Sequence, residues 1–189
     1  MGTDVPVSVS SLLRPEVKAK LCATQRAALK RIDEEDFRLP SATAKRVGGM
    51  KSDEEIQELV TGLKMYYAAT VLDPHNAHAF SPKIDWLFHG HMLCTKPFAI
   101  FCQQVFGAPL EHNPLDEESE SAIAKLRDLY DYTTEIAFPA LFKKADSHIW
   151  PKREDHLLVC SCDTIIPDGS MLAQNAMLLK RETVLTVVQ

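Results

Sequence analysis

Between Ser81 and Pro114 the chain sets one Asp, three His, two Cys and one Trp into what reads as a single apolar helix and its exit turn. No other stretch constrains the fold as tightly. A polar group inside an apolar helix must find a partner or cost free energy, so each of these side chains implies a specific neighbour. The helix start is well marked: Ser81 offers a capping oxygen and Pro82 occupies the first turn. Its end near Phe106 is marked too, with Gly107 suited to a left-handed turn and Pro109 blocking continuation. Pro97 lies inside, and its missing N–H and its clash with the Leu93 carbonyl predict a kink.

Helix geometry then sorts the ligand-capable residues. Residues four apart are separated by about 40° around the axis, residues two apart by about 200°. Asp85 and His89 therefore share one face, and a charge-assisted i,i+4 pair is expected between them. His91 points nearly the opposite way, into a stripe formed by Ile84, Leu87, Phe88, Cys94 and Phe98. It should be buried, bonded to a backbone carbonyl or to Tyr66 or Tyr67 of the preceding helix. Trp86 and Phe88 are expected in the core, as aromatics usually are. His112 should anchor a loop, and His75 and His78 in the DPHNAHAF segment default to exposed loop positions.

His89-x-His91 is thus not a metal clamp, which on a helix wants spacings of three or four. A divalent metal is still the one cofactor class the composition of this stretch suggests. Asp85, His89 and His112 form that candidate ligand set, with His75 or His78 as alternative closing ligands. His91 with Cys94, three residues on, offers a second arrangement, either as ligands or as an activated thiol. No phosphate-cradling glycine loop and no Ser-His-Asp elbow is present.

The rest of the chain reads as helices over 15–32, 53–72 and 116–141, the last bent or interrupted at Pro139. Ser52 with Glu55 fits a capping box, and Asp73-Pro74 stops the helix that follows. A polar connection through Pro40 and Gly48-Gly49 separates the first two helices. After Trp150 the pattern turns to strand-like runs, His156 to Ile166 and Leu178 to Val188, around Pro167-Asp168-Gly169. The expected fold is mainly α. A bundle of about four principal helices fills residues 1–150, and 151–189 form a small β or irregular appendage, a hairpin packed on the same domain.

With 189 residues, one well-cored domain is the natural size. A net charge of −5 argues against a nucleic-acid partner. No apolar run approaches a membrane span, so no membrane partner is expected. Five Cys without a compact framework, and no secretory pattern, lead to an expected cytoplasmic location with free thiols. Cys160 and Cys162 alternate as on one face of a strand, where two inward-pointing small side chains are the simplest account.

The same stretch resembles the glycine-rich domain-containing protein-like family, the helical module of plant glycine-rich domain proteins and of shorter relatives. That pattern is an Asp, Trp-His-x-His-hydrophobic-Leu, an aromatic and a Cys, then Phe/Tyr-Gly with a following His and Pro. Asp85, His89, His91, Met92 and Leu93 fit the first half, and Phe98, Cys102, Phe106, Gly107, His112 and Pro114 the second. Phe88 stands where the family usually has Trp. The match is dense over 81–114 and diffuse over 53–145. The resemblance implies a helical domain and locates a site without assigning a reaction; the glycine-rich tract itself is missing from this sequence.

Three functions follow as expectations. The first is a module binding a small molecule or a protein partner, with Asp85, His89, His91 and His112 organising the site and Trp86 and Phe88 supporting it. The second is a metal-dependent enzyme using Asp85, His89 and His112. The third is a purely structural polar network.

Overall fold

The computed structural model describes residues 7–48, 52–114, 120–153 and 162–165, with the backbone alone for 48, 111–114 and 162–165. The chain is mainly helical, as its periodicity predicts. Its centre is a 20-residue helix, α5 (Asp53–Leu72), buried on nearly every side from Leu63 onward. Ser52 caps it, its hydroxyl accepting from the Glu55 N–H at 3.0 Å, and Asp73 ends it. Around it lie α1 (Val9–Leu12), α2 (Pro15–Lys20), α3 (Ala23–Asp33), α4 (Arg38–Gly48), α6 (Pro82–Met92), α7 (Thr95–Val105) and α8 (Glu120–Asp131).

Two expected helices are each divided. The 15–32 helix breaks at Leu21–Cys22, both extended, and α3 restarts from a reciprocal cap between Cys22 and Gln25. The 81–106 helix breaks at Cys94 rather than kinking at Pro97. Starting α7 at Thr95 puts Pro97 in its first turn, where an N–H has no intrahelical acceptor to lose. The same economy turns the expected polar connection into α4: Pro40 is its third residue, and Asp36 accepts from the Arg38 N–H at 3.0 Å. Gly107 has φ +72°, the left-handed turn expected of it.

The fourth expected helix also changes pitch. After α8 comes a widened π-helical turn, Tyr132–Ala137, then a last helical turn, α9 (Phe138–Leu141). Pro139 cannot donate within this segment, and widening the preceding turn relieves its ring from the carbonyl it would strike. The shift rotates Tyr132, Ala137 and Phe138 into the core.

Three short strands follow among the described residues. β1 (His78–Ala79) and β2 (Glu111–Pro114) both pair antiparallel with β3 (Cys162–Ile165), in the order β1-β3-β2. β3 falls within the expected C-terminal hairpin, but its described partners are the two strands from the helical region. The other hairpin strand, Leu178 to Val188, and Cys160 lie outside the described residues. Among the described residues no helix is long and apolar enough to cross a membrane.

Candidate functional site

α6 carries most of the candidate residues, and its two histidines diverge as helix geometry requires. His91 is fully buried; His89 has a side chain 42% exposed. Asp85 and His89 form the expected i,i+4 pair, with Nδ1 3.3 Å from Oδ2 and 3.0 Å from the Asp85 carbonyl oxygen. Phe88 is fully buried, its ring tilted against Phe80 and Tyr67 and edge-on to Phe98. Trp86 is not in the core. It stands 45% exposed on the side of α6 that carries His89, because residues three apart share a helix face. Leu93, one turn further, is 70% exposed.

His91 anchors a closed polar chain. Its Nδ1 lies 2.9 Å from the Tyr67 hydroxyl and its Nε2 3.2 Å from Glu35 Oε1. The other Glu35 oxygen pairs with Arg31 at 2.5 Å, and Arg31 also donates to Gln104 and lies over the Phe101 ring. Burial holds the Tyr67 phenol well above its usual pKa, so it keeps its proton and needs an acceptor. Nδ1 is that acceptor, which leaves Nε2 to donate to the Glu35 carboxylate. Burial alone would raise Glu35, but the hydrogen bond from His91 and the Arg31 charge outweigh it and hold the carboxyl low.

The Tyr67 contact was legible in the sequence; Glu35 was not. It lies in the connection after α3, 56 residues from His91, where no periodicity points anywhere. Gly90 explains how that connection comes so close. A Cβ there would sit 2.6 Å from the Pro40 carbonyl oxygen, so only glycine lets α4 cross α6 at this point.

Above the network is a cleft of about 630 Å³ between the α3–α4 connection and the α6–α7 corner. Arg31, Glu34, Glu35, Asp36 and Cys94 supply its polar groups, and Leu39, Pro40, Pro97 and Ile100 its apolar walls. Leu39 and Ile100 are exposed large apolar side chains. His91 forms the floor behind Glu35. Cys94 donates to the Gly90 carbonyl at 3.5 Å rather than to His91, and burial together with the Glu35 charge pushes its thiol pKa up. A thiolate nucleophile paired with His91 is therefore not what the geometry provides. Burial pushes the Cys102 thiol further, to about 11.

Of the expected metal set, Asp85 and His89 pair on α6, and the side chain of His112 lies outside the described residues. Among the described residues no group of three or more His, Cys, Asp or Glu is arranged to hold an ion. His112 is in β2, in register with Thr164, which is paired on its other side with His78 of β1. His75 is exposed, but His78 is fully buried, against expectation. Its Nε2 is 3.4 Å from the Asp73 carbonyl oxygen and 3.5 Å from Asp73 Oδ2, and its Nδ1 has no partner among the described residues. Burial lowers its pKa to about 4. Tyr132, turned inward by the π-helical turn, donates to Asp73 Oδ2 at 2.6 Å. The Tyr66 hydroxyl donates to the His78 carbonyl, and the Ala79 N–H to Thr133 Oγ1.

Comparison of the chain with protein-family models, with curated proteins and with solved structures finds no match.

Proposed function

We propose that this chain is a helical binding module whose ligand occupies the cleft above His91. The observation that carries this reading is a cleft with apolar walls and a polar floor already fixed by bonds on both sides. The volume suits a small molecule or one or two side chains of a partner. Fixed donors and acceptors lower the ordering cost of binding, which is what a recognition site needs. On this reading Arg31 and Glu35 meet the polar end of the ligand, Leu39 and Ile100 its apolar body, and His91 holds Glu35 in place. Membership of the glycine-rich domain-containing protein-like family remains part of the proposal. It rests on the Asp85 to Pro114 motif, in which His91 is one of the matching positions.

A fragment screen read by ¹H–¹⁵N correlation spectra tests it. Hits should shift the amides of residues 31–39 and of Cys94, Thr95, Lys96, Phe98, Ala99 and Ile100, and Ile100→Arg should abolish them while Trp86→Ala leaves them unchanged. Hits that persist in Ile100→Arg, or that map elsewhere, overturn the reading.

A second reading has its own support in the exposed Trp86 and Leu93 beside His89. Exposed large apolar side chains grouped on one face mark docking surfaces more often than chance. Here α6 would present a protein-binding stripe, and Trp86→Ala rather than Ile100→Arg would remove binding.

A further inference from the structure

A second cleft, of about 450 Å³, lies between α5 and residues 146–150 and shares no lining residue with the one above His91. Its floor is apolar, made by Gly62, Met65, Ile149 and Trp150. Asp53, Glu54, Glu58 and Asp146 stand around it, with the uncharged Gln57 and Thr61 between them and no Lys or Arg. Lys45 pairs with Asp53, and His148 faces Glu58 at 3.6 Å. Glu54 and Asp146 enter no ion pair among the described residues; Asp146 Oδ1 accepts only the His148 backbone N–H, at 2.8 Å. The cleft is therefore electronegative over an apolar base, which suits a cation with an apolar body.

Carboxylates in the first turn of α5 also suit its dipole, so alone they would say nothing about a ligand. The floor supplies an independent observation. Trp150 is only 5% exposed, its ring held against Tyr130 and Phe138, yet its indole Nε1 has no acceptor among the described residues. The nitrogen meets α5 at Gly62, where a Cβ would stand 3.3 Å from it. Both residues belong to the floor, so the orphaned N–H lies there too. An indole N–H only donates, and a buried donor without an acceptor costs free energy that a ligand oxygen would recover.

We propose that this cleft binds an α-aminoacyl group: an ammonium and a carbonyl on one carbon that also bears a small apolar side chain. The ammonium meets Glu54, Glu58 and Asp146, the carbonyl oxygen accepts from Trp150 Nε1, and the side chain lies on Met65 and Ile149. Such a group occurs at the free N-terminus of a peptide and in small amino-acid amides. Simpler occupants each miss a requirement. A bare metal ion gives the indole no acceptor, and an anion meets four carboxylates.

Leucinamide is titrated into the ¹⁵N-labelled full chain at pH 6.5, where an α-amine is mostly charged. The indole N–H signals of Trp86 and Trp150 are followed, with Trp86→Ala assigning them. The Trp150 signal should move downfield as the bond forms, and the Trp86 signal should stay. N-acetylleucinamide lacks the charge and 3-methylbutylamine lacks the carbonyl; each should bind at least about tenfold more weakly. An unmoved Trp150 signal, or equal affinity for either control, overturns the proposal. Glu54→Gln with Asp146→Asn removes charge at two exposed positions and keeps an oxygen for the His148 N–H, so folding is not at issue. Affinity should fall about tenfold in that variant, and undiminished affinity also overturns the proposal. Leu-Gly-Gly-amide separates the two sources: tighter binding than leucinamide assigns the group to a peptide N-terminus, equal or weaker binding to a free amino-acid derivative.

Discussion

His91 and His78 are equally buried, and the difference between them lies in their partners. His91 has a good bond at each ring nitrogen and sits beneath an open cleft. His78 has two long contacts at Nε2 and, among the described residues, no partner at Nδ1. A buried imidazole with two partners fixes the positions of whatever it touches. One with few partners stays neutral at a cost paid on acidification. Burial alone therefore says little about which histidine organises a site.

The sharpest way to break this contrast is His91→Ala. It strands the Tyr67 hydroxyl, leaves Glu35 with Arg31 alone and opens a cavity, so about 4 kcal/mol of stability should be lost in urea denaturation. A loss below about 1 kcal/mol would make His91 an ordinary core residue and remove the contrast with His78.

Acidification probes the other member of the pair. The folded-state pKa of His78 is depressed to about 4 from 6.5. The unfolded chain then binds a proton in that window that the folded chain does not. Stability from this group is complete above pH 6.5 and falls as pH drops toward 4, by roughly 3 kcal/mol. His78→Leu should flatten that part of the stability profile. A profile equally steep in the variant assigns the acid sensitivity to other groups.

Gly90→Ala tests how the cleft is built. Its Cβ would press on the Pro40 carbonyl, a backbone atom that yields only if α4 moves off α6, and about 2 kcal/mol should be lost. The amide shifts should concentrate in α4 and the Glu35 connection. Trp86→Ala is the smallest effect, within about 0.5 kcal/mol, because the ring is half exposed. A larger thermal shift would return Trp86 to the core.

Local rules made much of this fold legible. Ser52, Ser81 and Gly107 do what capping chemistry predicts, and the opposite aims of His89 and His91 follow from helix geometry alone. Proline was ambiguous for a physical reason. Pro40 and Pro97 look like breaks or kinks within a pattern, but each is equally content in the first turn of a new helix, and the structure uses that option twice. Trp86 was misplaced because aromatic character outweighed its position beside His89. Glu35 and His78 were hidden more deeply: their burial comes from chain crossings, at Gly90 and in the β1–β3 pairing, that no local pattern encodes.

The tautomer of His91 tests the central claim most directly, through long-range ¹H–¹⁵N correlations on the intact chain at pH 7.5. A protonated Nε2 and an unprotonated Nδ1 are predicted, as the chain from Tyr67 through His91 to Glu35 demands. A proton on Nδ1 with a bare Nε2 would contradict it, because the carboxylate would then face a lone pair and the floor of the cleft would not be fixed.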